Sequence, residues 1–152
     1  MGILIDNQQK NRPLNLARIQ TMAQAILDDL GCPEGELSIL FVDDRRIQDL
    51  NREYRHKDRP TNVLSFAMRE GDYAQVSPHL LGDVVISVDT AAAEAQKAGI
   101  GLGEHMAWLL IHGILHLFGF DHERSEQDAA KMETRTLDLM KKIKGLLSED
   151  LQ

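Results

Sequence analysis

His112, His116 and His122 stand at i, i+4 and i+10 in the stretch His112-Gly113-Ile114-Leu115-His116-Leu117-Phe118-Gly119-Phe120-Asp121-His122, a spacing that suits one metal ion. Helix residues four apart share a face, with Cβ atoms about 5–6 Å apart, so His112 and His116 can aim two imidazoles at one point. Gly119 follows three residues after His116. A glycine there can take the left-handed conformation that ends a helix, and the chain then folds His122 back as the third ligand. Histidine in a core can also be satisfied by backbone carbonyls. Two imidazoles in an otherwise apolar helix must each be paired, however, and one zinc ion pairs both. Three histidines leave a fourth position for water, which is the pattern of a catalytic rather than a structural zinc. The single cysteine, Cys32, forms no internal disulfide and leaves nitrogen and oxygen as the metal donors.

His-x-x-x-His-x-x-Gly-x-x-His is also the spacing of the metzincin proteases, where a glutamate after the first histidine serves as general base. Gly113 occupies that position here, so peptide hydrolysis by that route lacks its proton acceptor. A glycine in mid-helix costs about 1 kcal/mol relative to alanine. Its presence therefore points to a close approach to the backbone, either by substrate or by a packed element.

The histidine stretch needs a scaffold, and the hydrophobic pattern predicts one. Ile3-Leu4-Ile5 reads as a first strand with Asp6-Asn7 as its exit. Leu16, Ile19, Met22, Ala23, Ile26, Leu27 and Leu30 keep helical spacing up to Gly31 and Pro33. Residues 36–42 form a central strand, and Asp43 or Asp44 caps a second helix whose buried stripe is Ile47, Leu50 and Tyr54. Arg59-Pro60 ends that segment. Residues 63–68 form a third strand, 69–79 a polar surface loop and 82–88 a fourth strand. Asp89 is the predicted cap of an Ala-rich helix from Thr90 to Ala98, closed by Gly99. From Met106 to Phe118 only the two histidines interrupt an apolar surface, which predicts a helix buried all round. Ser125-Glu126-Gln127-Asp128 resembles a capping box before a long helix carrying Met132, Leu139, Met140, Ile143 and Leu147 and ending near Ser148. The expected fold is α+β: one domain over residues 1–152, with a small mixed four-stranded sheet, about five surrounding helices and a buried metal-binding helix.

At 152 residues, 43% hydrophobic and 27% charged, the chain can bury its own core. The run from Met106 to Phe120 is shorter than the roughly 20 residues of a bilayer span. The N-terminus lacks the basic start, apolar stretch and cleavage site of a secretory signal, so a cytoplasmic location and no membrane partner are expected. A net charge of −7 argues against coating nucleic acid by bulk attraction. The charge is uneven, though. Between Arg45 and Arg59 six Lys or Arg stand against three Asp or Glu, so the remainder carries −10.

The histidine block closely resembles the signature of the YbeY family of bacterial endoribonucleases and rRNA maturation factors. So does Asn51-x-x-Tyr54-Arg55-x-x-Asp58-x-Pro60-Thr61-Asn62-Val63-Leu64-Ser65-Phe66, followed by Leu81-Gly82-Asp83. The resemblance implies that His112, His116 and His122 bind zinc and that Arg55 is the basic residue of the active-site cleft, with Arg55 and His112 as the catalytic residues. Nickel suits the same nitrogen donors. Trp108 departs from the pattern, since some members carry a histidine there. On this resemblance zinc acts as Lewis acid or generates hydroxide near neutral pH, while the Arg55 guanidinium stabilises charge on the phosphate. Arg52, Lys57 and Arg59 would add backbone contacts to single-stranded RNA. Asp121 and Asp83 are expected to orient a ligand or to serve structure. The implied activity is single-strand-specific, zinc-dependent cleavage of ribosomal RNA in 16S 3′-end maturation and ribosome quality control. The ribosome or small-subunit proteins are the implied partners, and DNA is not one. Two other readings stay open: a metallohydrolase of another substrate such as a peptide, and a non-catalytic assembly factor with structural zinc.

Overall fold

Residues 2–68, 79–120, 123 and 125–150 are described by the computed structural model. Four strands form one mixed sheet: β1 (Ile3–Asn7), β2 (Glu36–Val42), β3 (Val63–Ala67) and β4 (Leu80–Ser87). Their spatial order is β1-β2-β4-β3, with β1, β2 and β4 parallel and β3 antiparallel to β4 at the edge. Five helices accompany them: α1 (Leu16–Asp29), α2 (Asp44–Arg55), α3 (Val88–Ala98), α4 (Leu102–Leu117) and α5 (Glu126–Asp150). The expected α+β architecture with a four-stranded mixed sheet is therefore what the chain adopts.

One face of the sheet carries the large core. Ile19, Met22, Ala23, Ile26 and Leu27 of α1 pack there with Ile39 and Phe41 of β2, Val84 and Ile86 of β4, and Leu109, Leu110 and Ile114 of α4. Met132, Leu139 and Ile143 of α5 close it from outside, and Met140 packs against it; the Leu147 side chain lies outside the described residues. The opposite face is covered by α2 through a smaller cluster of Val42, Ile47, Leu64 and Val85. Alternating side chains along each strand feed the two clusters, as a sheet covered on both faces requires. Among the described residues no single helix is long and apolar enough to cross a membrane.

Local chemistry shifts several predicted boundaries. Asp43 caps α2 by accepting from the Arg46 N–H, whereas Asp44 accepts the hydroxyl of Ser87 at 2.6 Å. Ser87, not Asp89, caps α3, which therefore begins at Val88; Asp89 instead accepts from the Asp44 N–H at 3.0 Å. Both N-termini converge there, so the carboxylate nearest in sequence goes to the neighbouring helix. Tyr54 is a further correction. It is 56% exposed, and its ring meets Phe66 of β3 edge-on at 5.3 Å instead of entering the core. Of the predicted loop, residues 69–78 lie outside the described residues. The final helix starts where Ser125 accepts from the Asp128 N–H, as the capping pattern predicts, and runs to Asp150.

Candidate metal centre

Helix α4 carries the site. Its interior-facing residues Met106, Leu109, Leu110, Ile111, Ile114, Leu115 and Leu117 are buried. It is not buried all round, however: His112 and His116 are half-buried and Trp108 is 36% exposed. The stripe His105, Trp108, His112 and His116 follows i, i+3, i+7, i+11 spacing along one side, so the histidines sit at the margin of the core where an ion can reach them.

His112 Nε2 and His116 Nε2 lie 3.3 Å apart, with ring centroids 4.9 Å apart and planes at 71°. Two nitrogens each about 2.0–2.1 Å from a tetrahedral zinc are about 3.3–3.4 Å apart. The separation of the two nitrogens is therefore that of two ligands on one first-row metal. Among the described residues no set of three His, Cys, Asp or Glu converges on one ion. The third predicted ligand, His122, and Asp121 beside it lie outside the described residues. What leads toward them is described. Gly119 has φ +92°, its N–H donates to the His116 carbonyl, and the Phe120 N–H donates to the Leu115 carbonyl. This 5→2 and 6→1 pairing is the Schellman ending expected of a glycine that turns the chain back after a helix.

Gly113 resolves the choice left open by the sequence. A Cβ at Gly113 would lie 2.7 Å from Val84 Cγ1 and 3.2 Å from Val63 Cγ2, so the close approach is to the sheet and not to substrate. Its carbonyl also accepts the Ser65 hydroxyl at 2.9 Å. With no side chain at this position, the metzincin glutamate has no counterpart on the helix face.

Arg55, the last residue of α2, comes from the opposite side of the sheet. Its Nη2 donates to the Ser65 carbonyl at 2.8 Å, and its guanidinium carbon lies 5.8 Å from the Phe66 ring centroid. Ser65 therefore links both predicted components: its carbonyl holds Arg55, and its hydroxyl holds the helix one residue past His112. Arg55 stays exposed, which leaves the rest of its donor fork accessible. The turn beyond it is held by buried Asn51, whose amide donates to the Arg59 carbonyl at 2.9 Å and whose carbonyl accepts from His56, a residue at φ +59°.

Two expectations change. Arg52 is paired with Asp58 at 3.3 Å and Asp49 at 2.9 Å, which in that order hold its pKa up; hydrogen bonding from Gln48, then from Arg52, holds the Asp58 carboxyl down. Arg52 is thus a partner in an exposed ion cluster, while Arg55, Lys57 and Arg59 are exposed beside it. Asp83 does not support the histidines. Its neighbour Val84 faces α4, so Asp83 points to the other face, where it pairs with Ser38 across the sheet. Burial pushes its carboxyl pKa up, with the Ser38 hydrogen bond opposing.

His105 and Glu94 were not singled out from sequence, and Asn62 entered only as part of the matched block, without a role. His105 lies 2.9 Å from Glu94 Oε1, and the Asn62 amide donates to both Glu94 oxygens at 3.1 and 3.3 Å. The available signal was the seven-residue spacing from His105 to His112, which places both on one helix face.

A family model described as Endoribonuclease YbeY matches residues 4–144. The chain is 49% identical over 146 residues to the protein named Endoribonuclease YbeY from Syntrophotalea carbinolica, covering 95% of this chain and 97% of that one. It is 48% identical over 136 residues to the protein of the same name from Geobacter metallireducens, covering 89% and 91%. The solution structure of TM1509 from Thermotoga maritima superposes with a TM-score of 0.68 at 22% identity, over 97% of this chain and 93% of that one, and so shares the fold. The chain belongs to the Endoribonuclease YbeY family.

Proposed function

We propose that this protein is a metal-dependent endoribonuclease that cuts single-stranded RNA, with ribosomal RNA as its substrate in 16S 3′-end maturation and ribosome quality control in the cytoplasm. The observation that carries the reading is the pair of imidazole nitrogens 3.3 Å apart, joined through Ser65 to an exposed arginine. Relatives bearing the name Endoribonuclease YbeY support the substrate class. His112 and His116 would hold the ion, with His122 as the third ligand and zinc as the metal, a set that zinc accepts with its fourth position open. A bound zinc supplies Lewis acidity toward a phosphate oxygen and brings the pKa of coordinated water toward about 7.

The chain's own residues do the rest. Arg55, braced on the Ser65 carbonyl and over Phe66, presents its remaining N–H donors to a phosphate and stabilises the negative charge that builds there. Lys57 and Arg59 hold the backbone on either side without reading sequence, which lets an otherwise acidic protein retain RNA. Ser65 fixes the helix relative to the arginine, so the phosphate-binding and metal-binding groups keep one geometry.

The test compares wild-type, His116→Ala and Arg55→Ala proteins on a labelled single-stranded RNA, with metal content measured on each. We expect His116→Ala to lose metal and cleavage, and Arg55→Ala to keep metal and lose cleavage, both with wild-type circular dichroism. Undiminished cleavage by either purified variant overturns the assignment.

A further inference from the structure

An aromatic stack leads away from the candidate ligands along α4. The Trp108 ring lies 4.9 Å from His112, centroid to centroid, with planes at 17°. On its other side His105 lies 5.9 Å away, within 6° of parallel. His105 is itself anchored: its Nε2 is 2.9 Å from Glu94 Oε1 on α3, and Glu94 also receives both bonds from the Asn62 amide. Asn62 immediately precedes β3, and its carbonyl accepts from the Ser87 N–H at 3.0 Å. The chain Asn62, Glu94, His105, Trp108, His112 thus runs from the residue before β3 through α3 to α4 and ends on a predicted ligand.

From this continuity we infer that Glu94, His105 and Trp108 are positioning residues that set the plane of the His112 imidazole and so prearrange its Nε2 opposite that of His116. The inference rests on the reading of His112 as a metal ligand. A histidine ligand must be held at the correct ring rotation, and supporting groups commonly change metal affinity about 10–100-fold when removed. The indole face packs on the His112 ring and constrains its rotation, and the Glu94–His105 contact holds the ring stacked on the other side of that indole. Ser65 holds the next residue, Gly113, through its carbonyl. The helix at His112 is therefore held twice, through the main chain one residue on by β3 and at the His112 ring by the stack. Packing alone would account for two rings in contact, but not for a histidine pinned to a carboxylate that is pinned in turn by the residue leading into β3.

Trp108 is the sole tryptophan, so its emission reports on this contact directly. The experiment titrates zinc into metal-free protein against a chromophoric chelator while recording tryptophan emission and the melting temperature of the metal-free form. We expect wild-type emission to change on zinc binding. Trp108→Leu and Glu94→Ala should each bind zinc about 10-fold or more weakly, with the metal-free melting temperature within a few degrees of wild type. Trp108→Phe, which restores a ring face, should recover most of the affinity. Glu94→Ala should in addition shift the emission of the metal-free protein. Wild-type zinc affinity in both Trp108→Leu and Glu94→Ala overturns the inference while leaving the metal centre intact. Failure of the wild-type protein itself to bind zinc overturns the metal-centre reading and this inference with it. Should Trp108→Leu fail to fold, the zinc affinity of Glu94→Ala decides the question, a wild-type value overturning the inference.

Discussion

The Ser65 hydroxyl donates to the Gly113 carbonyl at 2.9 Å, pinning helix α4 to the edge strand one residue beyond His112. The carbonyl of the same serine accepts Arg55 at 2.8 Å. One residue therefore sets the spacing between an arginine brought from one face of the sheet and a histidine pair brought from the other. Ser65→Ala removes the first contact and keeps the second, because the backbone carbonyl remains. We expect a loss of about 1 kcal/mol in chemical denaturation and a fall in RNA cleavage larger than that stability loss accounts for, with metal content unchanged.

Gly113 is needed for the same approach. Gly113→Ala gains about 1 kcal/mol of helix propensity but drives a methyl against Val84 Cγ1 at 2.7 Å, and overpacking of a core typically costs about 1–3 kcal/mol. The variant should be less stable than wild type. Adding Val84→Ala makes room for the methyl, so a double-mutant cycle should show favourable coupling between the two changes. Additive effects would mean the helix and the sheet are not in tight contact.

Arg55→Lys keeps the charge and loses the fork. Lysine cannot at once brace on Ser65 and give two parallel donors to a phosphate. Turnover on single-stranded RNA should drop about 10-fold or more, and Arg55→Ala should lose about 100-fold or more. The fall should appear mainly in kcat, as expected for a group that acts on developing charge. A lysine variant with wild-type kcat would show that only the charge matters.

Gly119 sits at φ +92° in the turn that carries the chain toward His122. Gly119→Ala places a side chain in a conformation that costs about 1–3 kcal/mol. Asparagine tolerates that region better. Thermal melts should rank wild type above Gly119→Asn and Gly119→Asn above Gly119→Ala, and zinc affinity should follow the same order. Equal affinity in all three would separate the turn from the metal centre.

Asp83 gives a pH dependence of definite sign. Burial raises its carboxyl pKa in the folded protein, so the folded state binds its proton more tightly than the unfolded chain. Stability from this residue is full below the ordinary aspartate value and is lost as pH rises through the raised one. Asp83→Asn keeps a partner for Ser38 and removes the buried charge. The variant should therefore melt above wild type at pH 7, with the gap closing as the pH is lowered through the aspartate range. A gap independent of pH would exclude charge burial as its cause.

The primary sequence determines the local features of this protein. His112 and His116 face one way because a helix repeats every 3.6 residues. Gly119 ends that helix because only glycine enters its backbone conformation readily, and the apolar runs at residues 36–42 and 63–68 are strands wherever they pair. The arginine block and the histidine block were both legible as motifs, since each is continuous in the chain. What joins them was not. That β3 is an antiparallel edge strand, with Ser65 turned toward α4 and its carbonyl turned toward Arg55, follows from strand order, which no local pattern encodes. The same holds for Asp83, whose face is decided by sheet pairing, and for Tyr54, which stays exposed with its ring against Phe66. It holds too for Glu94, an ordinary helix residue until α3 packs beside α4 and brings it to His105. Tertiary packing alone makes these choices, because hydrogen bonds between elements distant in sequence form only after burial of the common core has fixed where each element lies.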